Sequence, residues 1–390
     1  MKKVLYKQLL NDLEAGIMSL QKLQDIQIAL NENFFDREAE VEALMTALLS
    51  RQHLLFIGPA GTGKSALSSM LGEIVEGSTY FQHLLTPFST PEELFGVLSL
   101  KDLERGVYKR NINGMLPLAN FAFVDEIFKA NSAILNSLLT LINERIYYNN
   151  GVPIPSPLMT LVGSSNEYIE SDEGLEALFD RFLLRYEVDY IRPDQDFISM
   201  LKADSFIPLQ KITLNELGFL QGQVQEVAFS EDMYSSIAKI RKKLGDEGIR
   251  PSDRRFKQSL SILQSTAFLK GRKNVLKTDL DILKNVLWEM PEQREVTARI
   301  ISDVAHDSIE VFMNRIVPEF NEIVTSAEII LNGKLPNQRS KLSELLMRGK
   351  GLFLEVQAMN RQVPNRADLH ALKNDMHKRL LQMTSDVIGF

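Results

Sequence analysis

Between positions 8 and 30, apolar residues recur at Leu9, Leu10, Leu13, Ile17, Leu20, Leu23, Ile26 and Leu30, a spacing near the helical period. This predicts an amphipathic N-terminal helix. From Leu54 the pattern changes to short apolar runs at residues 54–57, 121–124 and 159–162, alternating with helical stretches. Such runs predict parallel strands, because helices covering both faces of a parallel sheet leave no polar side. After about Tyr190 the strand signals fade. Helical patterns begin with Pro193 and recur over residues 214–227, 230–244 and 253–269, predicting a smaller all-helical domain. Beyond Pro291 longer helical patterns are interrupted at residues 332–336 and 363–366, so about three antiparallel helices are expected. The expected organisation is an α/β core over 1–190, a helical domain over 191–290 and a helical extension over 291–390. The chain shows no internal repeat and no low-complexity segment.

Composition narrows the function classes. With 390 residues, 44% of them hydrophobic, the chain can bury a substantial core in two or three domains. A net charge of -7 leaves no overall electrostatic footprint for polyanions, which argues against nucleic acid as the ligand. The absence of cysteine excludes a disulfide framework, a thiolate metal site and a cysteine nucleophile. The start lacks the apolar stretch of a signal peptide and no later apolar run is long enough to span a bilayer. A cytoplasmic protein is expected.

The chemistry concentrates at the ends of the three apolar runs. The first leads into Gly58-Pro59-Ala60-Gly61-Thr62-Gly63-Lys64-Ser65 and then a helical stretch. Glycines let such a loop curl so that its N–H groups face phosphates, and the following helix start adds a favourable dipole. Lys64 is placed to reach the β- and γ-phosphates of ATP, and the Ser65 hydroxyl to ligate Mg²⁺. The second run ends in Asp125-Glu126. Since the C-terminal ends of parallel strands converge on the ligand crevice, Asp125 is expected to hold Mg²⁺ and Glu126 to orient and deprotonate the attacking water. Alone, such an acidic pair is more often a helix cap, and the glycine loop upstream turns the reading to catalysis. The third run passes through Gly163-Ser164-Ser165 to Asn166, whose amide can bridge the water and the γ-phosphate; a lone asparagine there is otherwise a turn residue.

In this order these motifs resemble an AAA+ ATPase, and the intervening text narrows the likeness. Phe88-Ser89-Thr90-Pro91-Glu92-Glu93-Leu94-Phe95-Gly96, Val124-Asp125-Glu126-Ile127-Phe128-Lys129-Ala130 and Leu138-Leu139-Thr140-Leu141-Ile142-Asn143-Glu144-Arg145 are similar to the MoxR family, especially its RavA-like branch. The likeness covers about residues 30 to 270. It implies an αβα phosphate-loop core with a parallel sheet, an all-helical lid and a homo-hexameric ring with ATP sites between neighbours. It also implies chaperone-like remodelling of protein substrates beside a partner carrying a von Willebrand factor A domain. Arg181 matches the arginine finger that reaches a neighbour's γ-phosphate, with Arg185 in reserve. Arg254 matches the lid's sensor arginine, with Arg255 as its rival. Insertions at residues 93–116 and 145–157 also match, the second as a β-hairpin about Asn149-Asn150-Gly151. After about Pro291 the resemblance weakens, and the apolar positions there are expected to form intramolecular core.

Two other functions use the same motifs. A nucleic-acid translocase would need a basic surface that the acidic total does not offer, and a nucleotide-gated scaffold would not need an intact set of Lys64, Asp125, Glu126, Asn166 and Arg181.

Overall fold

A computed structural model describes residues 2–168, 175–306, 308–332, 338–363 and 366–388. Five parallel strands form the sheet: β1 Leu54–Ile57, β2 Tyr80–Leu84, β3 Phe121–Asp125, β4 Thr160–Ser165 and β5 Leu184–Glu187, in the order β2-β3-β4-β1-β5. Registers such as Leu54 with Val162 on one side and Leu184 on the other bring the strand C-termini to one edge. Because strand side chains alternate, Leu54, Phe56, Phe121, Phe123 and Val162 enter the core on one face. Leu55, Ile57, Ala122, Val124 and Leu161 enter the core on the other.

The N-terminal helix α1, Lys2–Asn33, buries Leu23, Ile26 and Leu30 as its periodicity predicts, while the side chains of Leu9, Leu10, Leu13 and Ile17 lie outside the described set. It is followed by α2, Glu38–Ser50, and, after the glycine-rich loop at residues 58–63, by α3, Lys64–Ile74. Helix α4, Ser132–Glu144, is capped by the Asn131 side chain, which accepts from the Ile134 N–H. Short α5, Glu176–Arg181, precedes β5. The insertion at 93–116 carries a short helix, Leu100–Leu103, and a bridge between Leu98 and Arg110. The hairpin Ile146–Asn149 with Val152–Pro155 turns at Asn150 and Gly151, both at positive φ as that dipeptide favours.

The lid helices start where polar residues satisfy first-turn amides: α6 Leu214–Val224 behind Thr213, α7 Glu231–Asp246 behind Ser230, and α8 Asp253–Leu269 behind Ser252. Helix α9, Arg294–Ala305, buries Thr297 and places Ile300, Ile301, Val304 and Ala305 in the same core cluster as the lid. The compact units therefore divide between Ala305 and His306, not at residue 291. The break in pattern at Pro291 is a turn of 3-10 helix inside the first unit. Among the described residues no helix is long and apolar enough to cross a membrane.

The second unit holds α10 Ser308–Asn332, α11 Gln338–Gln362 and α12 Ala367–Ile388. They share a core of their own, including Ile316, Phe320, Leu342, Val356, Leu369, Met376 and Leu380. Arg315 pairs with Glu355 across the first two helices, which therefore run antiparallel. Of the turns expected at 332–336 and 363–366, residues 333–336 and 364–365 lie outside the described set.

The placement of α9 makes a sharp prediction about truncation. Each fully buried Ile or Val contributes roughly 1.5–3 kcal/mol, and three of them rival a sizeable part of the ~5–15 kcal/mol that holds a domain together. A chain ending at residue 290 is expected to melt far below the full protein or to aggregate. One ending at residue 305 should melt cooperatively and retain nucleotide affinity. Thermal melts of the two truncations, with calorimetric titration of ATP into the longer, check this.

Candidate nucleotide site

The loop between β1 and α3 departs from ordinary backbone at three glycines: Gly58 at φ 151, Gly61 at φ 81 and Gly63 at φ 88. At Gly58 the reason is close approach, since a Cβ would sit 2.0 Å from the Val188 carbonyl oxygen. At Gly61 and Gly63 a Cβ would meet nothing within 4 Å, so there the reason is the positive φ and not close approach. Lys64 turns back under the loop, its ammonium donating to the carbonyls of Gly58 at 2.6 Å and Pro59 at 2.7 Å. Burial lowers the Lys64 pKa, while Asp125 and Glu126 raise it and Arg37 lowers it further. Ser65 is exposed at the start of α3.

The strand ends bring the expected polar residues together. Asn166 donates from Nδ2 to Glu126 Oε1 at 2.5 Å, and its Oδ1 accepts from Lys64 Nζ at 3.4 Å. Thus Lys64, Asn166 and Glu126 form one hydrogen-bonded chain across the ends of β1, β4 and β3. Asp125 Oδ1 accepts from the Ser164 hydroxyl and, at 3.1 Å, from the Glu126 N–H. Glu126 occupies the left-handed region, φ 52, a conformation that costs a residue with a Cβ about 1–2 kcal/mol and concentrates at functional sites. Its Oε2 lies 3.4 Å from Lys129 Nζ.

Beside Gly61, Thr62 and Gly63 opens a cavity of about 350 Å³ walled by Phe34, Phe35, Tyr190, Ile191 and Phe197. It is largely apolar and continuous with the loop, so it suits a planar base whose phosphates lie in the loop. Arg37, which the motif reading missed, fixes this corner: its Nε donates to the Thr62 carbonyl at 3.1 Å and its Nη2 to the Asp189 carbonyl at 2.6 Å. The adjacent aromatics Phe34-Phe35 just ahead of a helix were the only sequence signal of this wall.

The four candidate arginines separate by burial. Arg185 is sealed in, donating to the carbonyls of Phe182, Trp288 and Phe179, with its guanidinium 3.9 Å from the Phe179 ring centre. Arg255, 1% exposed, binds the Asp180 carboxylate at 3.1 Å and the Val286 carbonyl at 2.8 Å, tying the lid to α5. Neither is free to reach a ligand. Arg181 keeps one ion pair, to Asp180 at 2.9 Å, and exposed Arg254 donates to neutral Asn143 Oδ1 at 2.8 Å. Burial and the Arg181 charge lower the Arg254 pKa, with Asp180 opposing, so the two guanidiniums are neighbours. Among the described residues neither is bonded to Lys64, Asp125, Glu126 or Asn166.

Behind this pair His53 is buried, its Nδ1 accepting from the Leu161 N–H at 3.0 Å and its Nε2 donating to the Ile142 carbonyl at 3.2 Å. Burial first, and the Arg145 charge second, hold its pKa well below 6.5. The folded ring stays neutral while the unfolded one protonates near pH 6.5, so its contribution to stability is complete above that pH and is lost as pH falls toward the folded value. The melting temperature is expected to drop between pH 6.5 and 5, by up to ~1.4 kcal/mol of stability per pH unit from this group. Comparing that slope with His53→Gln checks it; equal slopes would mean His53 is not responsible.

A family model described as the MoxR domain in the MoxR-vWA-beta-propeller ternary systems matches residues 21–217, and an AAA lid domain model matches residues 232–301. An uncharacterized protein of Methanocaldococcus jannaschii is 33% identical over 371 residues, covering 94% of this chain and 96% of its own. A second from that organism is 38% identical over 70% of this chain and 72% of its own. The chaperone MoxR1 of Mycobacterium tuberculosis is 27% identical over 50% of this chain and 52% of its own. The crystal structure of a candidate ATPase from Cytophaga hutchinsonii superposes with a TM-score of 0.63 at 17% identity, over 76% of this chain and 97% of that one. At that identity the likeness shows the fold alone.

Proposed function

From the premise that the chain belongs to the MoxR family of AAA+ ATPases, we propose that it hydrolyses ATP at sites shared between subunits of a homo-hexameric ring and uses the energy to remodel protein partners. The observation that carries this is the hydrogen-bonded chain Lys64–Asn166–Glu126 at the mouth of an open glycine loop. Gly58 to Gly63 would cradle the phosphates with their N–H groups, and Lys64 would exchange its two loop carbonyls for β- and γ-phosphate oxygens. Ser65 and Asp125 would hold Mg²⁺, whose charge offsets that of the triphosphate. Glu126 would take the proton of the attacking water, with Asn166 fixing the carboxylate. The apolar wall from Phe34 to Phe197 would take the base.

Arg181 and Arg254 support a shared site, because their partners are Asp180 and Asn143 and not the glycine loop of their own subunit. Each would add positive charge where the transition state spreads negative charge over the γ-phosphoryl oxygens. The matched family model supports a partner with a von Willebrand factor A domain. A RavA-like affinity within the family is supported by the stretches 88–96, 124–130 and 138–145, with the helical unit at residues 306–390 in keeping with it. We place the reaction in the cytoplasm.

Subunit mixing tests the shared site. Arg181→Ala and Lys64→Ala rings should each be nearly inactive, since every interface in either lacks one essential group. In an equal, randomly assembled mixture, about a quarter of interfaces combine an intact Lys64 with an intact Arg181 and should release phosphate. Co-purification of differently tagged chains establishes exchange. Full activity of Arg181→Ala alone would remove the finger role.

A further inference from the structure

The face that carries Arg181 and Arg254 holds a cavity of about 200 Å³ whose walls also include Arg51, His53, Asn143 and Arg145. Four guanidiniums converge there. Arg51 and Arg145 reach it from the C-caps of α2 and α4, both in the left-handed region at φ 55 and φ 57, where glycine is the residue usually favoured. Backbone carbonyls explain part of this. Arg145 Nη2 donates to the carbonyls of Arg51 at 2.9 Å and Met159 at 3.1 Å, but its buried Nη1 has no partner. The buried Nε of Arg181 has none either. Among the described residues the only carboxylate paired with any of the four is Asp180, and it already receives Arg255.

Buried donors left without acceptors in a cluster of like charges suit an anion rich in oxygens. Carboxylates offer two acceptor oxygens and a phosphoryl group three, which matches guanidiniums arriving from several sides. Size decides how it enters. At about 200 Å³ the cavity is smaller than the ~300–1,000 Å³ that encloses a drug-sized molecule, so it admits the end of a longer ligand held elsewhere.

We propose that this cavity is a phosphate-binding site in which Arg51 and Arg145 act beside Arg181 and Arg254, its occupant being the terminal phosphoryl group of ATP held by a second copy of this chain. The proposal rests on the shared-site reading above. It assigns Arg145 a ligand contact and Arg51 a supporting charge, in place of the helix-capping roles their positions alone would imply. The neutral His53 behind them adds no further positive charge to the cluster.

Arg145→Gln tests it in the mixing assay. Alone, the variant should keep the nucleotide affinity of the dissociated subunit and lose about 10- to 100-fold in turnover, the loss of one charge-assisted hydrogen bond. Mixed with Lys64→Ala it should recover activity at the interfaces that join an intact Lys64 to an intact Arg145. Recovery with Arg181→Ala but not with Arg145→Gln overturns the inference and leaves the shared site standing. Silence in both mixtures overturns the shared site and the inference together. Should Arg145→Gln melt early, the decision passes to Arg51→Gln, whose side chain is exposed and whose carbonyl still receives Arg145. Loss of turnover with recovery on mixing supports the site there too, and wild-type turnover of Arg51→Gln overturns it.

Discussion

Glu126→Gln is expected to bind ATP as the wild type does and to hydrolyse it about 10²- to 10⁴-fold more slowly, the usual worth of a positioned general base. The side chain keeps its shape, and the oxygen that accepts from Asn166 Nδ2 survives in the amide. What changes is the second oxygen. Beside Lys129 Nζ, 3.4 Å away, a carboxylate oxygen is held as an acceptor, whereas an amide NH₂ presents donors to a donor and has no lone pair for a water proton. Steady-state phosphate release and calorimetric ATP binding separate the two effects. Wild-type turnover would move the base elsewhere; lost ATP binding would mean that Glu126 serves the loop's structure.

The same comparison of residues shows which parts of the molecule were readable in the sequence. The loop and its strands were legible because their signals are local: fixed glycine spacing, and runs such as Phe121-Ala122-Phe123-Val124 whose own residues are all buried. The edge strands β2 and β5 were not, since Tyr80-Phe81-Gln82-His83-Leu84 is half exposed and Leu184-Arg185-Tyr186-Glu187 carries charge, which blurs both strand templates. Arg185 shows why: it is a buried charge in a strand, made tolerable by three carbonyls and an aromatic face that no local pattern announces. Arg254 and Arg255 are adjacent, and only burial distinguishes the reachable one from the staple. The apolar cavity beside the loop joins residues near position 35 to others near 190 to 200, a long-range meeting that no local pattern announces. The boundary at 291 failed for a similar reason. A proline that breaks one helix looks like the end of a domain until the apolar face of α9 is seen against the lid.

Lys64→Ala is expected to weaken ATP binding by about 10²- to 10⁴-fold and to remove turnover. The ammonium now donates to two carbonyls of its own loop, and both bonds become available to phosphate oxygens at no cost in new desolvation, because the group is already 7% exposed. Two charge-assisted hydrogen bonds at roughly 1.5–3 kcal/mol each account for that range. Folding should suffer little. Removing a cation whose pKa is already lowered by burial relieves a desolvation penalty, which offsets part of the loss of its bonds to the Gly58 and Pro59 carbonyls. A melting temperature within a few degrees of wild type, together with collapsed ATP affinity, is therefore the combined result required. It is also what makes this variant a fair partner in the mixing experiments: it must present intact Arg145, Arg181 and Arg254 to a neighbour while leaving its own loop empty. Unchanged affinity would remove the phosphate-loop assignment, and a collapsed melting temperature would show that Lys64 holds the loop through Gly58 and Pro59 more than it reads phosphate.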